Sequence, residues 1–428
     1  MTQTLRLGIA GLGTVGVGVV KILRNKAKLL RQRTGRELVI TAVSARDTCK
    51  DRGVDLSEYA WETDPVTLAQ RDDVDIFVEL MGGHDGPALE ATKASLAAGK
   101  DVVTANKAML AHFGHKLATL AEEKAALIRF EAAVAGGIPV IKSLTEGLAG
   151  NQISRVIGVM NGTCNYILTQ MQATGRGYDA LFKECEELGF LEADPMLDVG
   201  GIDAGHKLSL LSAIAFGTRV DFGAVDLEGI QHITLEDIER ADDMGYRIKL
   251  LGVAQMTDAG LEQRMSPCLV PKGSPIGQLE GGANMVVIEG DEVGRIVLGG
   301  PGAGEGPTAS AVMSDIIEIA RGIRISTFGQ SANTLVKSEP SRSLTPAPYY
   351  IRLRLQDQPG ALAKIATVLG KEGVSIDRMR QYGHIEETAP VLIVTHTTDR
   401  AALDVALQNM HKTDVLGATP VAIRIENT

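Results

Sequence analysis

A short apolar segment, residues 6–10, runs directly into a glycine-rich turn, and this junction constrains the fold more than any other part of the chain. The turn is followed by residues 17–30, whose apolar positions have helical spacing. A strand, a glycine turn and a helix in this order allow main-chain N–H groups to approach a pyrophosphate. We therefore predict a dinucleotide-binding loop at this turn. The residues of the predicted loop are Gly11, Leu12, Gly13, Thr14, Val15 and Gly16.

Four further apolar runs follow the first strand, and helical stretches separate them. Alternation of this kind predicts an α/β domain of the Rossmann type, in which a doubly wound parallel sheet has right-handed crossovers. We place this domain at residues 1–135 and expect a late helix, at about 304–325, to return to it. The further strands are predicted at residues 38–44, 74–80, 101–104 and 128–134.

The pattern of turns and regular segments changes after residue 135, which indicates a second domain. Residues 153–160 have the pattern of a strand, three helices follow, and residues 284–298 have the pattern of a β-hairpin. We predict an α+β catalytic and dimerisation domain over residues 136–303.

The last part of the chain has the pattern of a separate small module. A proline- and serine-containing segment within residues 326–348 is typical of a domain linker. Residues 349–428 then show the order βαββαβ, which predicts a ferredoxin-like fold.

Composition narrows the classes of protein that the chain can belong to. Apolar residues make up 44% of the sequence and charged residues 22%, as in ordinary globular domains. A net charge of −10 disfavours a nucleic-acid partner. The sequence contains no apolar run of about 20 residues, so we expect no membrane span and a cytoplasmic location. Four scattered cysteines predict free thiols in place of disulfides or a zinc site.

The end of the second predicted strand bears on the choice of cofactor. NAD-binding domains commonly carry an acidic residue there, which binds the ribose 2′-hydroxyl. This strand ends in Ala45 and Arg46, and an arginine favours the 2′-phosphate of NADP. Asp47 follows directly, so NAD remains an alternative.

Two lysines and two aspartates are candidates for chemistry. Lys107 follows a predicted strand at the carboxyl end, where open α/β sheets bind ligands. Asp203 and Lys207 are four residues apart on a predicted helix and therefore share a face, and Asp198 lies close before them. An exposed helix ion pair and a surface lysine are the structural alternatives.

Several motifs together resemble homoserine dehydrogenase, and they occur in the order of that family. Besides the glycine loop they are residues 104–107 (TANK), 161–166 (NGTCNY), 192–207, 302–304 (GAG) and 307–312 (PTASAV). Residues 349–425, with the sequence DQPGAL at 357–362, resemble an ACT domain, a small amino-acid-sensing module. Gly360 lies in the loop where such modules bind their ligands.

The resemblance implies an activity and a set of site residues. The activity is the NAD(P)-dependent interconversion of L-aspartate 4-semialdehyde and L-homoserine, a step of threonine and methionine biosynthesis. Lys207 would donate and accept the proton, with Lys107 and Asp203 also in the catalytic site. Substrate positions would be Glu192 and Asp198, which hold the substrate ammonium, together with Asp203 and the neighbouring substrate loop at Gly162 and Thr163. Cofactor positions would be the glycine loop, Arg46, Thr104, Lys107 and Gly304.

The resemblance also implies an ion, an effector and an assembly. A sodium-like structural cation would be held by main-chain carbonyls of Glu131, Val134, Gly136 and Ile138. Threonine is the expected effector at the ACT domain, and simple dimerisation is the alternative role for that domain. A homodimer or homotetramer is expected.

Two other functions remain open from the sequence. A semialdehyde dehydrogenase could use Cys164 as its nucleophile, although no histidine is adjacent to it in the sequence. A non-catalytic regulator could bind a nucleotide and sense an amino acid through the ACT-like segment.

Overall fold

The computed structural model describes residues 4–191, 194–341, 343–383 and 388–427. Two β-sheets organise these residues. A six-stranded parallel sheet lies in the N-terminal part, and a ten-stranded mixed sheet runs through the remainder. The doubly wound nucleotide-binding fold expected from the sequence is confirmed.

The first sheet has the strand order β3-β2-β1-β4-β5-β6, and helices pack on its faces. Its strands are β1 (Thr4–Ala10), β2 (Glu37–Ser44), β3 (Ala60–Glu62), β4 (Ile76–Glu79), β5 (Asp101–Thr104) and β6 (Ile128–Arg129). The helices between them are α1 (Thr14–Asn25), α2 (Ala27–Thr34), α3 (Pro65–Gln70), α4 (Pro87–Ala97) and α5 (Lys107–Glu123). The chain order reverses between β1 and β4, the point at which such sheets bind ligands.

The second part of the chain combines helices with strands of the mixed sheet. Its helices are α6 (Val140–Lys142), α7 (Gly162–Thr174), α8 (Tyr178–Glu187), α9 (Met196–Val199), α10 (Ile202–Phe216) and α11 (Leu235–Asp243). Its strands are β7 (Ile153–Val159), β8 (Asp226–Leu227), β9 (Tyr246–Thr257), β10 (Gly260–Pro271), β11 (Ala283–Gly290) and β12 (Gly294–Pro301).

The helix after β12 returns to the first sheet. Helix α12 (Glu305–Ala320) packs on α1, and Val312 and Ile316 are buried in one cluster with Ile9 and Val19. Gly18 makes this contact close, because a Cβ there would lie 2.9 Å from the Cβ of Ala309.

The C-terminal module shares the second sheet. Its elements are β13 (Tyr349–Gln356), α13 (Ala361–Lys371), β14 (Ile376–Gln381), β15 (Thr388–Thr395), α14 (Arg400–Met410) and β16 (Val421–Ile425). Strand β16 pairs with β13 inside the module and with β10 outside it. Buried Glu426 contacts Arg264 of β10 and Arg424 of its own segment, so the module is attached by strand pairing and by buried charges.

Two sequence predictions differ from the structure. The strand expected over residues 128–134 ends at Arg129, because residues 131–133 form a 3₁₀ turn. The β9–β10 hairpin was not predicted. Its central residues 248–254 are all buried and, apart from Lys249, apolar or glycine, and a run of this kind does not distinguish a strand from a buried helix.

Candidate functional site

The glycine loop joins β1 to α1 with the geometry that the motif predicts. Gly11 has a φ of +97°, and a Cβ there would lie 2.3 Å from the carbonyl oxygen of Leu80. Gly16 approaches the carbonyl of Gly11, where a Cβ would lie 2.1 Å away. Gly13 differs, because a Cβ there would meet no heavy atom of the described residues within 4 Å. The outer face of the loop therefore leaves room for a pyrophosphate at the start of α1.

Arg46 lies just beyond the end of β2, with its side chain exposed. Asp47 uses one carboxylate oxygen to accept hydrogen bonds from the main-chain N–H groups of Cys49 (2.9 Å) and Lys50 (3.1 Å). Asp47 is the residue that left NAD as an alternative cofactor, and its carboxylate thus stabilises a local turn. Arg52 reaches back to this segment and donates to the carbonyl of Leu12 in the glycine loop at 3.2 Å.

Asp203 lies between two lysines that come from different parts of the fold. Lys107, the first residue of α5, has its Nζ 2.9 Å from Asp203 Oδ1. Lys207, one turn along α10, donates to Asp203 Oδ2 at 2.6 Å and to the carbonyl of Met160 at 2.9 Å. The sequence predicted the pair on α10, and the structure brings Lys107 to the same carboxylate. The Lys207 side chain is only 12% exposed, so this is not a solvated helix pair.

Burial and charge act in opposite directions on Asp203. Burial alone would raise the pKa of this carboxyl, but the charges of Lys207 and Lys107 hold the pKa well below its usual range. His206, the neighbour of Lys207, has its pKa lowered to about 4 by burial and by His112. It is therefore neutral at pH 7 and adds no positive charge beside the lysines.

The predicted substrate loop begins α7 and is tied to the same cluster. The Asn161 side chain caps α7 by accepting from the N–H of Cys164 at 2.8 Å. Its amide nitrogen donates to Asp198 at 2.8 Å and to Asp203 at 3.2 Å. The structure therefore brings Asp198, Asp203 and the start of α7 together, a link through Asn161 that the sequence analysis missed. Its signals in the sequence were its place in the motif at residues 161–166 and the N-cap pattern of an Asn before a helix.

The other predicted substrate residues lie around this loop. Gly162 passes close to the segment before β11, since a Cβ there would lie 2.6 Å from the carbonyl oxygen of Gly282. The Thr163 hydroxyl donates to the carbonyl of Phe190 at 3.2 Å. Glu192, predicted to hold a substrate ammonium, lies outside the described residues.

Cys164 does not have the environment of a nucleophile. Its thiol is fully buried and donates to the carbonyl of Asp198 at 3.3 Å. Burial and the nearby carboxylates of Asp198 and Asp203 raise the pKa of the thiol well above its ordinary value. A thiolate would be unfavourable here, which weakens the alternative of a cysteine-dependent dehydrogenase.

The predicted cation position lies at a second close approach of glycines. Gly136 has a φ of +57°, and a Cβ there would lie 2.3 Å from the carbonyl of Gly302. The carbonyl of Ile138 already accepts the N–H of Val140 at 2.8 Å. The Glu131 carboxylate accepts the N–H groups of Ile141 and Lys142, both at 2.9 Å. Among the described residues, there is no cluster of three or more His, Cys, Asp or Glu that could bind a metal through side chains.

Two buried polar residues near the site escaped the sequence analysis. Glu79 ends β4, and its carboxyl oxygens accept from the hydroxyl of Thr104 and the N–H of Met81. Asn106 caps α5 directly before Lys107. The Thr104 side chain is fully buried, so a contact with a cofactor would come from its main chain. A lone carboxylate in an otherwise apolar strand was the signal for Glu79.

The fold and the site together define a class of protein. A nucleotide-binding sheet lies beside a Lys–Asp–Lys cluster in which the aspartate is buried and the two lysines are partly buried. Such a cluster can stabilise an alkoxide and exchange a proton with it. The chain is therefore an oxidoreductase that uses a nicotinamide cofactor.

Comparison with known proteins gives the family. The homoserine dehydrogenase family model matches residues 139–317, the model of its NAD-binding domain matches residues 11–131, and the ACT domain model matches residues 349–414. The chain belongs to the homoserine dehydrogenase family.

Individual relatives match all or most of the chain. The homoserine dehydrogenase of Neisseria gonorrhoeae is 41% identical over 99% of this chain and 99% of its own length. That of Bacillus subtilis is 37% identical, with the same shares covered. The crystal structure of a homoserine dehydrogenase from Thiobacillus denitrificans has a TM-score of 0.93 at 38% identity and covers 100% of this chain and 99% of that one. A hyperthermophilic archaeal homoserine dehydrogenase in complex with NADPH has a TM-score of 0.63 at 27% identity, covering 74% and 97%.

Among the residues that the structure describes, no helix is both long enough and apolar enough to cross a membrane.

Proposed function

We propose that this chain interconverts L-homoserine and L-aspartate 4-semialdehyde through proton transfer at Lys207, with NADP as the preferred partner in hydride transfer. The observation that carries the proposal is the position of Asp203, which lies 2.6 Å from Lys207 and 2.9 Å from Lys107. The three side chains form one charged cluster beside the start of α7, where the substrate loop was predicted.

Lys207 is the proposed proton donor and acceptor. During oxidation its amine accepts the proton of the substrate hydroxyl, and during reduction its ammonium returns that proton to the developing alkoxide. When bound, the nicotinamide accepts or supplies the hydride. Asp203 fixes the direction of the Lys207 side chain, and the positive charge of Lys107 adds to the stabilisation of the alkoxide.

The amino-acid part of the substrate needs its own contacts. We assign the start of α7, at Gly162 and Thr163, to the substrate backbone, because N–H groups at a helix start favour a carboxylate. Asp198 is buried and held by Asn161, which supports a role in orienting the substrate ammonium. Glu192 stays a prediction for the same role.

The preference for NADP rests on Arg46. Its exposed side chain lies at the end of β2, and one oxygen of the neighbouring Asp47 carboxylate accepts two main-chain N–H groups. An archaeal relative is described in complex with NADPH. Gly304, which has a φ of +112° directly before α12, is assigned to the same cofactor, as are the glycine loop, Thr104 and Lys107.

The ACT domain supports a regulatory role. We propose feedback regulation by threonine, in keeping with a place in threonine and methionine biosynthesis. Glu426, buried against Arg264 of β10, supports mechanical coupling between the module and the catalytic sheet. The proposed domain limits are residues 1–135 with 304–325, 136–303 and 349–428, with a linker at 326–348.

Three further assignments stay predictions. The first is a monovalent cation, whose expected ligands are the main-chain carbonyl oxygens of Glu131, Val134, Gly136 and Ile138. These oxygens carry no net charge, which is compatible with a monovalent ion. We expect a thermal midpoint higher in sodium chloride than in tetramethylammonium chloride of equal strength. A homodimer or homotetramer would appear in light scattering after size exclusion. A cytoplasmic location is a prediction from the sequence alone.

The direct test is a spectrophotometric assay with L-homoserine and each oxidised cofactor. We expect a homoserine-dependent rise in reduced-nicotinamide absorbance that is faster with NADP at low cofactor concentration. A folded enzyme that reduces neither cofactor would overturn the proposal.

A further inference from the structure

Glu79 is a buried acid for which the proposed reaction has no step. It is the last residue of β4, its side chain is fully buried, and the other three residues of the strand are apolar. Placing a carboxyl group in such a position costs free energy unless its oxygens are hydrogen-bonded. Two donors meet that need. The hydroxyl of Thr104 lies 2.5 Å from Oε2, and the N–H of Met81 lies 2.7 Å from Oε1.

The hydroxyl of Thr104 also hydrogen-bonds to the loop that follows β5. A threonine hydroxyl has one proton to donate and two lone pairs. Since the proton goes to Glu79, a lone pair is free to accept the N–H of Asn106, which it does at 2.9 Å. The direction of the Thr104 hydroxyl, and with it the conformation of the loop, is therefore set by the carboxyl group of Glu79.

Asn106 in turn fixes the start of α5. Its Oδ1 accepts the N–H of Met109 at 3.0 Å and caps the helix, and its Nδ2 donates to the carbonyl of Gly83 at 2.7 Å. Lys107 is the next residue, and its Nζ lies 2.9 Å from Asp203 Oδ1. Short polar contacts from Glu79 to Asn106, the peptide bond from Asn106 to Lys107, and the ion pair of Lys107 with Asp203 thus connect Glu79 to the catalytic cluster.

We propose that Glu79 is a positioning residue, which holds Lys107 against Asp203 through Thr104 and Asn106. The value of this role for catalysis rests on the proposed function of Lys107, but the placement of Lys107 can be measured without turnover. Burial raises the pKa of Glu79 to about 7, because the carboxyl group is removed from water. This agrees with a side chain whose role is its contacts inside the protein. Glutamine at this position would offer only one acceptor oxygen to the two donors.

The test combines kinetics with lysine reactivity. Glu79→Gln and Thr104→Val should each lower kcat/KM for homoserine about 10- to 100-fold, the scale of a misplacement near 1 Å. Thr104→Ser restores the hydroxyl that Thr104→Val removes and should recover most of the kcat/KM lost in Thr104→Val. Because both changes interrupt one series of contacts, the double variant should lose no more than the worse single variant. Glu62→Gln is the matched control, since Glu62 lies in the same sheet and pairs with Arg71.

The second measurement needs neither cofactor nor substrate. Acetylation by a small amine-reactive reagent, followed by peptide mass spectrometry, reports how well Lys107 is held in its ion pair. Lys107 should react several-fold faster in Glu79→Gln and Thr104→Val than in the wild type, while the exposed Lys183 reacts equally in all. Unchanged Lys107 reactivity would overturn the positioning role. A wild type without homoserine turnover would instead overturn the proposed function and leave this readout decisive.

Discussion

The Nζ of Lys107 lies 2.9 Å from Oδ1 of Asp203, and this ion pair joins the nucleotide-binding sheet to the helix that carries Lys207. Lys107 begins α5 at the carboxyl end of the parallel sheet, and Asp203 lies in the first turn of α10. The charged cluster therefore forms only when the two parts of the chain are packed together. The proposed catalytic cluster is therefore assembled by the packing of α5 against α10.

The choice of cofactor can be tested at Arg46. Arg46→Ala removes a charged contact to a 2′-phosphate, so Kd for NADP should rise about 10-fold or more while Kd for NAD changes little. Fluorescence titration of the reduced cofactors measures both constants. Lys28→Ala, on an exposed position of α2, removes the same charge and should alter neither. Equal weakening of both cofactors by Arg46→Ala would mean that Arg46 does not read the phosphate.

The role of Cys164 separates two kinds of dehydrogenase. Its buried thiol has a raised pKa and donates to a carbonyl, so Cys164→Ser should keep turnover near the wild-type value. Cys185→Ser, a change at another buried cysteine, controls for general packing effects. A loss of several orders of magnitude with Cys164→Ser alone would favour covalent catalysis by the thiol.

Stability should depend on pH through Glu79. Burial raises its pKa in the folded protein to about 7 from 4.5, so the folded state holds a proton that the unfolded state releases between these values. The free energy of unfolding of the wild type, relative to Glu79→Gln, should therefore fall as pH rises from about 4.5 to about 7 and then level off. The fall should be on the order of 3 kcal/mol. Urea denaturation at several pH values measures it, and a difference independent of pH would contradict the assignment.

Regulation by threonine can be tested in the full-length chain. Threonine should change activity or apparent substrate affinity several-fold, corresponding to a coupling free energy of about 1–3 kcal/mol. Gly360→Asp places a side chain at the start of α13, where φ is +87°, and should abolish the response. Gly373→Asp is the matched control, because Gly373 follows the same helix with a φ of +73°. If calorimetry shows no threonine binding and the rate does not respond, an assembly role for the module becomes the better account.

Point variants suit this question better than removal of the module. Truncation after residue 338 would also remove Glu426, whose carboxylate contacts Arg264 and Arg155 of the catalytic sheet. Removing one partner from a buried ion pair is strongly destabilising. An inactive truncated chain would therefore report on folding and not on regulation.

The local features of the site could be predicted from residue patterns, and its long-range contacts could not. Only the family resemblance placed Lys107 in the same site as Asp203. The strand and glycine turn at Gly11 and the four-residue spacing of Asp203 and Lys207 are both short patterns with direct geometric meaning. The contact of Lys107 with Asp203 depends on how α5 packs against α10. No local sequence pattern predicts the pairing of β16 with β10 either.

Buried polar residues were the second kind of omission. Glu79 and Asn161 each act by hydrogen bonds to groups brought close by the fold, Thr104 in one case and Asp198 in the other. A carboxylate or an amide in a sequence does not reveal such partners. For Glu79 the signal was a charged side chain at the end of a buried strand, and for Asn161 it was an Asn before a helix. Neither signal identifies the hydrogen-bond partner.

Homoserine turnover by the wild type and by Lys207→Ala tests the central claim most directly. We predict that the wild type reduces NADP in a homoserine-dependent manner, while Lys207→Ala turns over about 100-fold more slowly or worse with unchanged cofactor Kd. Lys183→Ala, at an exposed lysine, should match the wild type. Absence of turnover in a folded wild type with either cofactor, or near-normal turnover by Lys207→Ala, would contradict the account.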